Sequence, residues 1–349
     1  MARRVLLVIR DKLGDSLLAF AVVQSYLALR PDDDVTVLMR RDYADLVRGE
    51  RGFTLVRYRN AAQAMLWALL QRWFAPPFDA LIVLRGFGPR MRRLGRLIRA
   101  QRKINLDGRL APEFAEWPAP LDSATQEQFT LPLASYRAAA LYEPALRMPE
   151  ALHLPSLGRR RAQAQAEFIG VCPLSGEDRK DLSPQALERL LEHLGRAEPG
   201  VPVKVLVRAR AAERFALAGR PGCELVSYGT LPALLTYFAR MKAYYGVDTG
   251  LYHLAAAMGM PCTLVFGPTQ PRRIILPRQR ARAIRLAVLG DRHCEVKTCT
   301  RPLCIDQALA NLAGGGALPL EGPPAACPLR EHPGEALRAN RVLQFPAGS

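Results

Sequence analysis

Between Tyr245 and Thr269 the chain reads YGVDTGLYHLAAAMGMPCTLVFGPT. Asp248 or Thr249 can cap a helix that opens directly after a strand, and Gly250 lets a ligand approach the backbone at that point. A helix opening at the carboxyl end of a strand offers unpaired N–H groups to an anion, which suits the phosphates of a nucleotide. His253 falls one turn further on, where its imidazole can donate to a phosphate oxygen. Taken alone, the same residues also describe a plain N-cap and a surface histidine. Two other groups bear on the choice. Arg10-Asp11-Lys12-Leu13-Gly14-Asp15 sets an acid behind an apolar strand, and the polar loop Leu174–Leu182 carries Lys180.

These groups need elements to hold them. Arg4–Ile9 is a continuous apolar strand, and apolar residues at helical spacing follow from Leu17 to Leu29 until Pro31. Strands are expected at Val35–Met39, Thr54–Arg57 and Ala80–Leu84, with a helix over Ala61–Trp73. After Gly86 and Gly88, Pro89–Lys103 holds many arginines and no acid, with Met91, Leu94, Leu97 and Ile98 on one face. It reads as a basic amphipathic helix that packs on the sheet, lies on an anionic membrane or grips a phosphorylated acceptor. A helix is expected around Ser123–Tyr142, and the proline-bearing stretch from Pro144 to Gly158 reads as a linker.

A second alternation starts at Phe168. Strands are expected at Phe168–Cys172, Val203–Val207, Glu224–Val226, Ala243–Val247 and Thr263–Phe266, with a helix at Ser183–Leu194 capped by Ser183 and opened by Pro184. This organisation is α/β: two domains with parallel sheets, residues 1–160 and 161–349. The tail from Asn311 reads as loop. Asp15 would lie at the sheet edge of the first domain, and Lys180 and Asp248 at that of the second. An acid and a phosphate site on the two edges of a cleft suggest transfer of a group from a nucleotide to an acceptor hydroxyl.

Composition narrows the partners. Apolar residues make up 49% and charged residues 23% of 349, an ordinary soluble balance. The formal charge of +17 draws polyanions. No zinc finger, RNA-recognition motif or basic zipper is legible, so nucleic acid is not an expected partner. No stretch approaches the length of a transmembrane helix, and the first residues hold too short an apolar run for a signal peptide, so a cytoplasmic protein is expected. Of seven cysteines, Cys172, Cys223 and Cys262 fall in expected strands. Cys294, Cys299, Cys304 and Cys327 cluster late in the chain, and their spacing is not the two-residue metal knuckle. Free thiols in a reducing compartment and a metal site both stay open.

The stretches Asp248–Thr269 and Arg10–Asp15, with support from Phe78–Asp107 and Ser175–Pro184, resemble those of the bacterial heptosyltransferases, glycosyltransferase family 9. The resemblance implies the GT-B fold, two facing Rossmann-like domains, and an inverting, metal-independent transfer that requires no cofactor. It implies Asp15 as catalytic base and Lys180 as the charge on the leaving diphosphate. Ser175, Asp248, Thr249, Gly250 and His253 become donor-binding residues, and Arg10, Gly14, Arg85 and Arg92 acceptor-side residues. The implied donor is ADP-heptose. The implied acceptor is an anionic lipopolysaccharide core or related glycolipid at the cytoplasmic face of the inner membrane, where the enzyme would be peripheral. Departures stand beside this: Val83 and Arg85 replace a frequent Asp and Gln, Arg208-Ala209-Arg210 replaces a glycine-rich turn, and Leu182 replaces a common Trp. A nucleotide-sugar-binding module with lost chemistry, or an epimerase of the same fold, are the alternatives.

Overall fold

The computed structural model describes residues 2–86, 88–120, 132–215, 220–290, 303–312 and 338–345, together with Cys294, Cys299, Cys327 and Leu329. The chain divides into two compact units, Met1–Leu157 and Gly158–Ser349.

In the first unit the order is β1 (Arg4–Ile9), α1 (Leu13–Leu29), β2 (Asp34–Arg40), α2 (Arg41–Val47), β3 (Thr54–Tyr58), α3 (Ala61–Phe74), β4 (Phe78–Arg85), α4 (Pro89–Leu97), β5 (Ala100–Ile104) and α5 (Leu133–Tyr142). All five strands are parallel, in the order β3-β2-β1-β4-β5. β1 and β4 are covered on both sides, which is why they read as unbroken apolar runs rather than alternations. Strand order reverses between β1 and β4. The loops leaving those two strands therefore diverge and open a crevice at their carboxyl ends.

Two expectations for this unit change. The basic segment is not one helix to Lys103: α4 stops at Leu97, Ile98 turns extended, and Ala100–Ile104 adds an edge strand, pairing Phe78 with Ala100 and Ile82 with Ile104. The open edge of β4 supplies a ladder that helical periodicity, continuous across the break, does not reveal. Of the helix expected around Ser123–Tyr142, Leu133–Tyr142 is seen and 121–131 lie outside the described residues. The expected linker carries a helix, α6 (Pro155–Ala162), at the point where the two units part.

The second unit runs β6 (Phe168–Cys172), α7 (Pro184–Ala197), β7 (Val203–Arg208), β8 (Cys223–Tyr228), α8 (Leu231–Arg240), β9 (Met241–Val247), α9 (Gly250–Ala257), β10 (Cys262–Phe266), α10 (Pro271–Ile274), β11 (Ala281–Leu286), α11 (Leu303–Leu312) and β12 (Asn340–Phe345). Its sheet has the order β12-β11-β10-β9-β6-β7-β8. Only β12 is antiparallel, at the edge. Leaving out that edge, the order is the doubly wound 3-2-1-4-5-6 arrangement, with its reversal between β6 and β9. The tail is thus not all loop: Asn340–Phe345 pairs along β11, Ala281 opposite Phe345. That ladder joins residues some sixty positions apart, a relation with no local signal.

Candidate functional site

The crevice of the first unit is lined from β1 and β4. Arg10 follows β1, and its N–H donates to the Arg85 carbonyl at 2.9 Å. Gly86, next after β4, has φ +118°, and a Cβ there would lie 2.9 Å from the Arg10 carbonyl. Only glycine permits that approach. α1 then opens at Lys12 with no side-chain cap, so Asp15, in its first turn, is not spent on capping. Instead the Arg85 guanidinium donates to the Asp15 carboxylate in a half-buried ion pair. Burial raises the Asp15 pKa above the usual carboxylate value, Arg85 and Lys12 oppose that, and Asp11 adds to it by like-charge repulsion. Gly14 is buried one residue before Asp15. Arg92 does not join this group: it lies on the exposed side of α4 and donates to the Arg109 carbonyl at 2.8 Å.

Beside this crevice the carboxyl ends of β1, β2 and β3 border a cavity of about 480 Å³. Arg10, Arg40, Arg59 and Arg90 line it and, among the described residues, no acidic one does, although Arg40 also pairs with Asp42. α3 opens onto it, capped by Asn60, which accepts from the Gln63 N–H at 3.0 Å. The Tyr58 hydroxyl is buried there with no hydrogen-bond partner among the described residues, and burial pushes it up to about 12. Four guanidinium groups, a helix N-terminus and a spare hydroxyl make a cradle for an anion. No sequence periodicity marks Tyr58 or Arg40 for this, because three strand ends must come together to form it.

The crevice of the second unit lies between the ends of β6 and β9. Gly246 lets these strands close up, since a Cβ there would sit 2.6 Å from the Cys172 carbonyl. The loop after β6 folds on itself. The Leu182 N–H donates to the Pro173 carbonyl at 2.8 Å, and Asp181 accepts from the Ser175 N–H at 2.6 Å and from Arg214 at 3.1 Å. The Ser175 hydroxyl donates to the Glu177 carbonyl at 2.8 Å, so this side chain shapes the loop. The loop carries Lys180 to Asp248, Nζ to carboxylate 2.9 Å, with Glu177 at 3.3 Å. Burial disfavours the Lys180 charge, but Asp248 and then Glu177 outweigh it and raise the pKa, so the ammonium is held charged.

Thr249 is the N-cap residue of α9, yet no side chain caps the helix. Asp248 is committed to Lys180 rather than to the cap, which leaves the first N–H groups of α9 facing the crevice. Gly250 is the first helical residue. His253 departs from the surface reading: it is buried, its ring 4.9 Å from that of Tyr252. Burial lowers its pKa to about 4, with Asp248 opposing and Lys180 reinforcing. It is therefore a neutral imidazole, able to donate one N–H but carrying no charge. Two further groups escaped the sequence reading. Thr269 and Gln270, just past β10, are buried, and Oγ1 and Oε1 respectively lack a hydrogen-bond partner among the described residues.

Among the described residues no group of three or more His, Cys, Asp or Glu side chains is arranged to hold a metal ion. Cys304 packs against Gly267, and burial, reinforced by the nearby Cys299, Cys327 and Cys294, pushes its thiol up to about 12. Cys172 and Cys262 are buried in their strands as expected, while Cys223 is half-buried.

The chain can be compared with known proteins on this footing. Residues 123–304, just over half of the chain, match the family model described as glycosyltransferase family 9 (heptosyltransferase). No curated protein sequence matches significantly. Among solved structures, the E. coli heptosyltransferase WaaC with ADP is 19% identical, with 78% of this chain and 89% of that one covered and a TM-score of 0.62. The E. coli ADP-heptose LPS heptosyltransferase II is 16% identical over 89% of this chain and 98% of that one, TM-score 0.61. A glycosyltransferase family 9 structure from Veillonella parvula is 15% identical over 80% and 85%, TM-score 0.62. At these identities the likeness establishes a shared fold, that of the GT-B heptosyltransferases.

Proposed function

The chain belongs to glycosyltransferase family 9, and from that premise we propose that it is an inverting, metal-independent transferase that moves a heptose from ADP-heptose to an anionic glycolipid. The observation that carries the proposal is the Lys180–Asp248 pair at the uncapped opening of α9. A charged ammonium beside free helix N–H groups is what a departing nucleoside diphosphate needs.

The chemistry follows as a single displacement. The Asp15 carboxylate takes the proton of an acceptor hydroxyl, and the hydroxyl oxygen attacks the anomeric carbon from the face opposite the diphosphate. The anomeric C–O bond breaks with its electron pair going to the β-phosphate oxygen, and the configuration inverts. Lys180 and the N–H groups of Thr249, Gly250 and Leu251 take up the new charge, so the residues present supply the stabilisation that a divalent cation would otherwise give. The neutral His253 and the spare Thr269 and Gln270 groups serve the donor as hydrogen-bond partners, and Ser175 holds the loop that aims Lys180.

Arg85 keeps Asp15 ionised until the acceptor arrives. The arginine-lined cavity, with Tyr58, suits the phosphate or carboxylate groups of a lipopolysaccharide inner core. ADP as the nucleotide is supported by the similar structures named with ADP, with ADP-2-deoxy-2-fluoro heptose and as an ADP-heptose heptosyltransferase. Such an acceptor implies work at the cytoplasmic face of the inner membrane.

The deciding experiment offers ADP-, UDP-, GDP- and CDP-linked sugars with and without a delipidated lipopolysaccharide core, and follows nucleotide release. ADP release that needs the acceptor, and is abolished by Asp15→Asn while donor affinity persists, is the expected result. Donor conversion without acceptor would mean an epimerase. Donor binding with no turnover would mean a binding module.

A further inference from the structure

α3 has a second apolar face that nothing among the described residues covers. Its sequence, AAQAMLWALLQRWF, is apolar almost all round. Ala64 and Ala68 are buried, and Met65 and Trp67 pack against the core of the first unit. Leu66, Leu69, Leu70, Trp73 and Phe74 point the other way. Their spacing of three and four puts them in one stripe along the helix. Trp73 is 74% and Phe74 83% exposed, among the largest exposures of any apolar side chain described. A helix apolar on both faces belongs where both are covered, and here the described residues supply one cover only.

The surroundings state the charge of the missing partner. Arg72 donates to the Arg96 carbonyl at 3.3 Å and Arg99 to the Ala75 carbonyl at 2.6 Å, which ties the Trp73–Phe74 end of α3 to the arginine-rich α4. Arg72, Arg93 and Arg99 are exposed and form no ion pair with a carboxylate among the described residues, whereas Arg96 pairs with Glu113. The apolar side of α4, Met91 and Leu94, is buried, so α4 contributes charge and not insertion. A second copy on this face would oppose arginine to arginine in a chain of formal charge +17. An anionic lipid surface instead satisfies both features: Trp and Phe settle at the acyl–headgroup boundary while arginines meet phosphates. At fourteen residues α3 lies in the surface and does not span it.

We infer that α3 is a membrane-docking helix, its Leu66–Leu70–Trp73–Phe74 stripe inserting into the interface of an anionic bilayer and the Arg72–Arg93–Arg99 rim binding lipid phosphates. The inference deepens the proposed function and rests on it for the acceptor's place in a membrane; binding to lipid needs no turnover.

The test is co-sedimentation of the full chain with phosphatidylcholine–phosphatidylglycerol vesicles and with phosphatidylcholine vesicles alone. The wild-type chain is expected to bind the anionic vesicles. Trp73→Ser with Phe74→Ser lowers that partitioning about tenfold or more, and Arg72→Gln with Arg93→Gln and Arg99→Gln removes the preference for anionic lipid. An unchanged melting temperature certifies the fold of each variant. Vesicle binding that is absent in the wild type, or equal in wild type and the Trp73–Phe74 variant, overturns the inference. So does a concentration-dependent dimer that the same variant breaks without any vesicle binding, which would make the stripe a self-interface. Transfer by the wild-type chain to a delipidated acceptor is measured separately: its failure with vesicle binding intact refutes the transferase reading and leaves the docking helix standing.

Discussion

Replacing the buried imidazole of His253 should flatten part of the acid side of the stability profile. In the folded chain burial holds the pKa near 4, against 6.5 in an exposed imidazole. A histidine whose folded pKa is depressed contributes stability that is complete above 6.5 and lost as pH falls toward 4, because only the unfolded chain takes the proton in that window. The full difference is worth about 3 kcal/mol, and about 2 kcal/mol of it is already lost at pH 5. His253→Phe keeps a ring against Tyr252 and removes the titration. Urea unfolding of both chains at pH 7.5, 6.0 and 5.0 reads the effect. Carboxylates titrate alike in both chains and cancel in the difference. Whatever the variant's stability at pH 7.5, it should gain about 2 kcal/mol relative to wild type by pH 5. A wild-type-minus-variant difference that stays constant over that range would refute the reasoning and return His253 to a solvated, titrating position.

Three more outcomes are expected. Arg85→Gln removes the cation that opposes the raised pKa of Asp15, so the acid limb of the rate profile should move to higher pH; an unmoved limb means another group is the base. Lys180→Met should weaken nucleoside diphosphate binding by about ten- to a hundredfold, as loss of a charged hydrogen bond does, and a calorimetric titration with ADP that shows no change would detach Lys180 from the donor. Tyr58→Phe removes a hydroxyl that has no hydrogen-bond partner among the described residues, so it should leave the urea midpoint unmoved while raising KM for the anionic acceptor several-fold at constant kcat. An unchanged KM would remove Tyr58 from the acceptor cavity.

Much of this protein could be read along the chain. The buried runs at Arg4–Ile9, Phe78–Arg85 and Phe168–Cys172 announce central parallel strands, since a strand covered on both faces has no alternation to confuse with anything else. The DTG step at Asp248–Gly250 marks a helix opening at a strand end, and Ser183-Pro184 marks a cap, because both are contacts between near neighbours in sequence. What needed the tertiary structure is whatever depends on distant partners. The Arg85–Asp15 pair joins positions seventy apart and Lys180–Asp248 positions sixty-eight apart. The break of the arginine-rich segment into α4 and β5 answers to the free edge of β4. The strand in the tail answers to β11. His253 was legible as a residue one turn into α9, but its charge state was not, because burial by the rest of the unit sets the proton affinity. The outward stripe of α3 was hidden for the same reason. Periodicity shows that a helix has apolar faces, and only packing decides which of them the chain itself covers.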